Sequence, residues 1–174
     1  MIELILFLVG TAFSTWYSIP SLRQPGSHGY YRFFAWEIIL GLFVLNLRAW
    51  FIQPFAWYQV ISWILLILSL IPLVAGLSLL RSMGKPEGNF EATTHLVTRG
   101  IYRFIRHPLY MSLIFLTWGI FFKSPSVLDG CLALVGTAFL YATARADESE
   151  CLVKFGQDYA VYMKATRMFI PFIY

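Results

Sequence analysis

The sequence reads as an all-α, polytopic integral membrane protein with about five transmembrane helices, and three observations predict it. Hydrophobic residues make up 59% of the chain against 13% charged, and the mean hydropathy is +0.67, far outside the soluble range. Apolar runs recur at the length a bilayer crossing needs, roughly 20 residues. Most of the charged side chains fall between those runs. A chain of 174 residues has room for such a bundle and for no separate soluble catalytic domain. One domain over 1–174 is therefore expected, with three membrane helices in 1–80 and a loop, a helical hairpin and a tail in 81–174.

The first helix is expected from Leu4 to Leu22, ending in the turn-rich Arg23-Gln24-Pro25-Gly26-Ser27-His28. Glu3 stands where a secretory signal would carry a base, and no small-residue cleavage site follows, so this segment reads as a retained helix. A second run, Phe33 to Phe51, has Glu37 near one end and Arg48 near the other, with Trp36 and Trp50 at aromatic-belt positions. Tyr30, Tyr31, Trp36 and Glu37 are read as interfacial anchors, with lining of a substrate path as the alternative. The third run, Phe55 to Leu80, is uncharged, and Pro72 within it is expected to kink rather than end the helix.

Arg81 to Arg106 is the one long polar connection. Gly84, Pro86, Gly88 and Asn89 break any helix in its first part, while its apolar and aromatic second half favours an ordered lid. Leu109 to Phe122 and Ser126 to Ala144 then form a hairpin about Lys123-Ser124-Pro125. The first arm gives only about 21 Å of helix, short of the ~30 Å hydrocarbon core. Gly119, Gly130 and Gly136 suit close helix contact. From Arg145 onward an amphipathic helix is expected, with Leu152, Phe155, Tyr159 and Tyr162 on one face.

Two Lys or Arg fall in 23–32, five in 81–106 and four in the tail, against Arg48 and Lys123 in the other two connections. The positive-inside rule then places the N-terminus outside and both the large loop and the C-terminus in the cytosol. The two polar segments would share one membrane face. The basic residues are spread over membrane-flanking loops without a nucleic-acid-binding module, so membrane lipids rather than nucleic acid are the expected partners. Cys131 and Cys151 have no metal-ligand spacing and no metal is expected.

Two clusters can carry chemistry. Pro108 pushes His107 out of helical conformation and itself suits a first helical turn, so His107 becomes an end-of-helix group. Unpaired amides there favour an anion, with Arg103 and Arg106 adding positive charge; plain interfacial anchoring is the alternative. Asp147, Glu148 and Glu150 form an acidic cluster expected to meet a cation: a ligand's amine, or Arg99, Arg103 or Arg106. The alternative is a solvated first helical turn whose acids complement the dipole.

These pieces form a pattern. Leu96-Val97-Thr98-Arg99-Gly100-Ile101-Tyr102, Arg106-His107-Pro108-Leu109-Tyr110, a hairpin, Asp147-Glu148, Phe155-Gly156 and Tyr159-Ala160-Val161-Tyr162 resemble the isoprenylcysteine carboxyl methyltransferase family and its phospholipid methyltransferase relatives. The resemblance covers the C-terminal half and implies an S-adenosylmethionine pocket on the cytosolic side. By matching position it implies that Thr94, His95, Leu96, Val97, Tyr102, Arg106, His107, Pro108, Leu109 and Tyr110 line the cofactor. Asp147 and Glu148 would hold its charged amino-acid end, and His107, Glu148 and Arg145 are the implied catalytic or steering groups. The implied reaction is methyl transfer to a lipophilic carboxylate, amine or thiol. Asp147 stands where the family usually has glutamate. Cys151 within Asp-Glu-x-x-Cys-x-x-Lys-Phe-Gly resembles instead the tail of membrane sterol reductases, so a reductase binding NADPH is the alternative, and a non-catalytic membrane subunit a third.

Overall fold

Among the residues that the computed structural model describes, 1–85 and 93–171, no strand forms, and the apolar runs are α-helices. They are α1 (Ile2–Leu22), α2 (His28–Leu45), α3 (Trp57–Met83), α4 (Pro108–Phe121), α5 (Val127–Phe155) and α6 (Gln157–Ala165), with 3-10 turns at Leu47–Ala49 and Gly100–Arg103. α1, α3 and α5 are long and apolar enough to cross a membrane, and α4 is a shorter apolar helix. Pro72 lies inside a continuous α3, as expected.

Several boundaries differ from the sequence reading: α2 ends at Leu45, short of the expected Phe51, with a separate 3-10 turn at Leu47–Ala49 after it, and two further shifts matter for the site. α2 starts at His28 rather than Phe33, because the Ser27 hydroxyl accepts the Tyr30 amide at 3.2 Å and caps the helix there. Arg32, read as a loop charge, is thereby carried on α2 and buried. α5 does not stop near Ala144 but runs to Phe155, since nothing between them breaks a helix. Gly156 ends it at φ +57°, a left-handed conformation that favours glycine. The acids at 147, 148 and 150 thus lie well inside α5 and are not a first turn stabilised by the dipole. The expected single tail helix is two: Phe155 closes α5, while Tyr159 and Tyr162 are buried from α6 and Leu152 stays exposed.

The helices pack mainly in three pairs, the consecutive α3 on α4 and α1 on α2 and the sequence-distant α2 on α5. Ile39 and Leu42 of α2, Ile120 of α4 and Ala133 of α5 form the central cluster. A Cβ on Gly119 would come within 2.9 Å of Leu66 of α3, so α3 and α4 touch there almost backbone to side chain. Glu37 lies mid-helix and does not reach out to an interface: Thr11 of α1 donates to it at 2.7 Å and Ser14 donates to its other oxygen. This polar tie joins the otherwise lipid-exposed α1 to α2.

At one end of the bundle Arg48 and Glu3 pair at 2.6 Å, and Gln59 Nε2 donates to the carbonyls of Ala49 and Lys123. Lys123, read as a turn cation, is only 1% exposed. Its Nζ donates to Gln59 Oε1 at 3.2 Å and lies 3.6 Å from the centre of the Trp63 ring. Indole faces and an amide replace water around the ammonium, and burial holds its pKa below the usual lysine value.

At the opposite end the long connection folds back. Gly84 O accepts the amides of Thr94 and His95 at 2.9 and 3.1 Å, and Val97, Tyr102 and Ile105 are buried. The expected breakers Pro86, Gly88 and Asn89 lie outside the described residues. Gly100, at φ +58°, turns the chain where a Cβ would meet Leu79 at 2.6 Å. The described second part of the connection, 93–106, is therefore an ordered wall, as its apolar and aromatic character suggested.

Candidate functional site

His107 sits immediately before α4, with φ −121° and ψ 60°, and Pro108 supplies the first helical residue, the arrangement the His-Pro pair predicts. Three backbone bonds hold this corner against the chain after α6: Arg106 N to Arg167 O (2.8 Å), His107 N to Met168 O (3.2 Å) and Arg167 N to Phe104 O (3.1 Å). The basic and acidic clusters meet here. Arg106 donates through Nε to Glu148 Oε1 at 2.7 Å and through Nη1 to the carbonyls of Thr166 (2.6 Å) and Met163 (3.1 Å). One guanidinium thus fastens α5 and the end of α6 to the α4 entrance.

His107, 4% exposed, lies between both acids, with Nδ1 3.5 Å from Asp147 Oδ2 and Nε2 3.4 Å from Glu148 Oε1. The Tyr110 ring stacks on it at 5.4 Å. Burial alone would depress its pKa, but the hydrogen bonds that the Asp147 and Glu148 carboxylates accept from it, and their negative charge, outweigh that and raise it. A folded pKa above the ordinary ~6.5 means that protonation of His107 stabilises the fold. The contribution is fully present below that value and is lost as pH rises through the folded pKa. Thermal denaturation of the detergent-purified protein is therefore expected to show a falling midpoint from about pH 6.5 upward. His107→Gln should flatten that slope; an unchanged slope would show that His107 is not its source.

Next to this junction opens a cavity of about 370 Å³, within the ~300–1,000 Å³ range of ligand sites. Of the residues implied by the resemblance, His95, Leu96, Val97, Tyr102, Arg106, His107, Pro108, Leu109, Tyr110 and Asp147 line it. Three do not. Thr94 turns away and donates to Lys85 O at 2.8 Å. Glu148, 2% exposed, is behind the wall holding Arg106 and His107. Arg145 is 61% exposed and approaches Glu148 Oε2 at 3.4 Å. Tyr30, Tyr31 and Glu37 also stand outside the cavity, whereas Trp36 lines it.

The sequence reading missed the far wall: His28 and Arg32 of α2, and Leu73, Leu77 and Arg81 of α3. His28, Arg32 and Trp36 are spaced four apart and so share one helical face. That signal was hidden by starting the helix at Phe33. Cys151 and Phe155 of the extended α5, with Tyr159 and Tyr162 of α6, complete the enclosure. Burial pushes the phenols of Tyr102, Tyr159 and Tyr162 up, so they stay protonated and none is a base at neutral pH. Tyr162 donates to Tyr102 O at 2.7 Å, tying α6 to the loop.

An all-helical apolar bundle with an acid–base junction and a cavity at one end fits the class of integral-membrane methyltransferases. Residues 57–157, more than half of the sequence, match the family model described as phospholipid methyltransferase, and the chain belongs to that family. It is 29% identical over 96 residues to methanethiol S-methyltransferase 1 of Bradyrhizobium diazoefficiens. That stretch is 48% of this chain and 32% of the relative, so the match spans about a third of that protein's length. No solved structure matches it.

Proposed function

We propose that the protein transfers a methyl group from S-adenosylmethionine to a lipophilic or membrane-associated acceptor bearing a carboxylate, amine or thiol. The observation that carries this is the cavity closed at one end by Asp147, His107 and the α4 terminus. The donor set fits the cofactor: a carboxylate for its ammonium, a buried imidazolium and helix amides for its carboxylate, and aromatic walls for its adenine. When bound, S-adenosylmethionine supplies an electrophilic methyl on sulfur.

Asp147, on the wall, would take the ammonium. His107, whose charged form both acids favour, would face the carboxylate at the start of α4. Tyr102, Tyr110, Leu96, Val97, Pro108 and Leu109 would enclose the nucleoside, with His95 at the rim. Glu148 acts as a positioning residue: it fixes Arg106 and His107. Exposed Arg145 would steer an anion at the mouth. Transfer by displacement of that sulfur would ask of these residues chiefly that they hold the methyl donor and the acceptor in line. A carboxylate acceptor gives an ester and releases no proton. A thiol or amine must lose one, and His107, with both ring nitrogens turned to Asp147 and Glu148, is poorly placed to take it.

The orientation that fits is the cavity on the cytosolic side, five helices crossing the bilayer and the N-terminus outside, supported by the charge distribution among the loops. Titration of detergent-purified protein with S-adenosylmethionine in a calorimeter should give saturable heat, and NADPH none. Saturation by NADPH alone would favour the reductase reading, against which the family match stands.

A further inference from the structure

Asp147 and Cys151 lie one helical turn apart on α5, and their side chains meet. The Cys151 Sγ is 3.7 Å from Asp147 Oδ1, within hydrogen-bond reach for sulfur, and a carboxylate only accepts, so the S–H donates. The other oxygen, Oδ2, faces His107 Nδ1 at 3.5 Å. Each oxygen of the acid that closes the cavity thus has its own neighbour on the protein side. These are also the two positions at which the sequence departs from the methyltransferase pattern.

Asp147 and Cys151 both line the cavity, and so does Tyr159 of α6, which stands beside the thiol. Small polar side chains in a helix commonly bond a carbonyl one turn back, as Ser149 does with Arg145 O at 3.1 Å. Cys151 instead bonds a side chain, that of the one carboxylate on the cavity wall among the described residues. The Asp147 side chain is 29% exposed, which leaves it room to meet a ligand. A carboxylate free to rotate must be ordered when the ligand arrives, and that ordering subtracts from affinity. Held at both oxygens, it presents its remaining lone pairs to the cavity in one direction.

Resting on the methyltransferase reading, we infer that Cys151 is a positioning residue: its S–H, together with His107, aims the Asp147 carboxylate at the ammonium of S-adenosylmethionine. Cys151 acts through Asp147 and takes no part in the transfer itself.

Infrared spectra of the detergent-purified protein, without cofactor, test the bond. Two S–H stretches are expected, and Cys151→Ser identifies one by removing it. That band should lie below the band of exposed Cys131 and should rise when Asp147→Ala takes the acceptor away. Coincident bands in the unsubstituted protein, or no movement in Asp147→Ala, overturn the inference. Calorimetric titration with S-adenosylmethionine tests the consequence. Cys151→Val, close in size but without a donor, should weaken binding about tenfold, and Cys151→Ser, which restores a donor, should recover most of that. In an Asp147→Glu background, where the longer acid no longer depends on position 151, adding Cys151→Val should weaken binding less than about threefold. Equal affinities of Cys151→Val and the parent, equal losses in Cys151→Val and Cys151→Ser, or the same loss in both backgrounds overturn it. The two readings stay apart. No saturable heat in the unsubstituted protein sinks the methyltransferase reading and this inference with it, whereas saturable heat that Cys151→Val leaves unchanged sinks the inference alone.

Discussion

Replacing Glu148 with alanine is expected to destabilise the protein by about 3–5 kcal/mol, the usual consequence of stripping one member from a buried ion pair. Arg106 is 10% exposed at the side chain and Glu148 3%, so water cannot take over the carboxylate's role. The loss propagates because the same guanidinium holds Met163 O and Thr166 O, which anchor the end of α6. Glu148→Gln, which keeps the shape and an acceptor, should cost less. The check is denaturation in detergent together with proteolysis of the segment after α6. An alanine variant as stable as the parent would show that the junction contributes specificity and no stability.

Asp147→Asn is expected to leave the fold largely intact and to weaken S-adenosylmethionine binding by about a hundredfold, the scale of losing one buried charge-assisted contact. Asp147 reaches the cavity, whereas Glu148 is spent on Arg106. Asp147→Glu, which restores the charge on a longer stem, should recover part of the affinity. Calorimetric titration of both variants tests it, and parent-like affinity in Asp147→Asn would remove Asp147 from the cofactor site.

How much of this was legible in the sequence depended on whether a local rule was at work. The His107-Pro108 helix start follows from proline sterics, and the meeting of the loop with the acids followed from charge placement. The Lys123-Ser124-Pro125 turn was equally plain. What could not be read was the destination of charged side chains. Lys123 in a turn looks like a solvated cation until Trp50, Trp63 and Gln59, distant in sequence, assemble around it. Arg32 looks like a loop residue until the single hydroxyl of Ser27 moves the start of α2 and carries it into the cavity wall. Glu148 and Asp147 are neighbours in sequence with different duties, because helical geometry aims one at Arg106 and the other at open space.

α5 has 29 residues, about 43 Å of unbroken rod against a hydrocarbon layer of roughly 30 Å. Its apolar stretch and its carboxylates belong to one stiff lever without a joint before Gly156. A tilt of this rod would carry Asp147 with it, so acyl chain length in a reconstituted vesicle is expected to change the pocket, and cofactor affinity measured across vesicles of different thickness checks this.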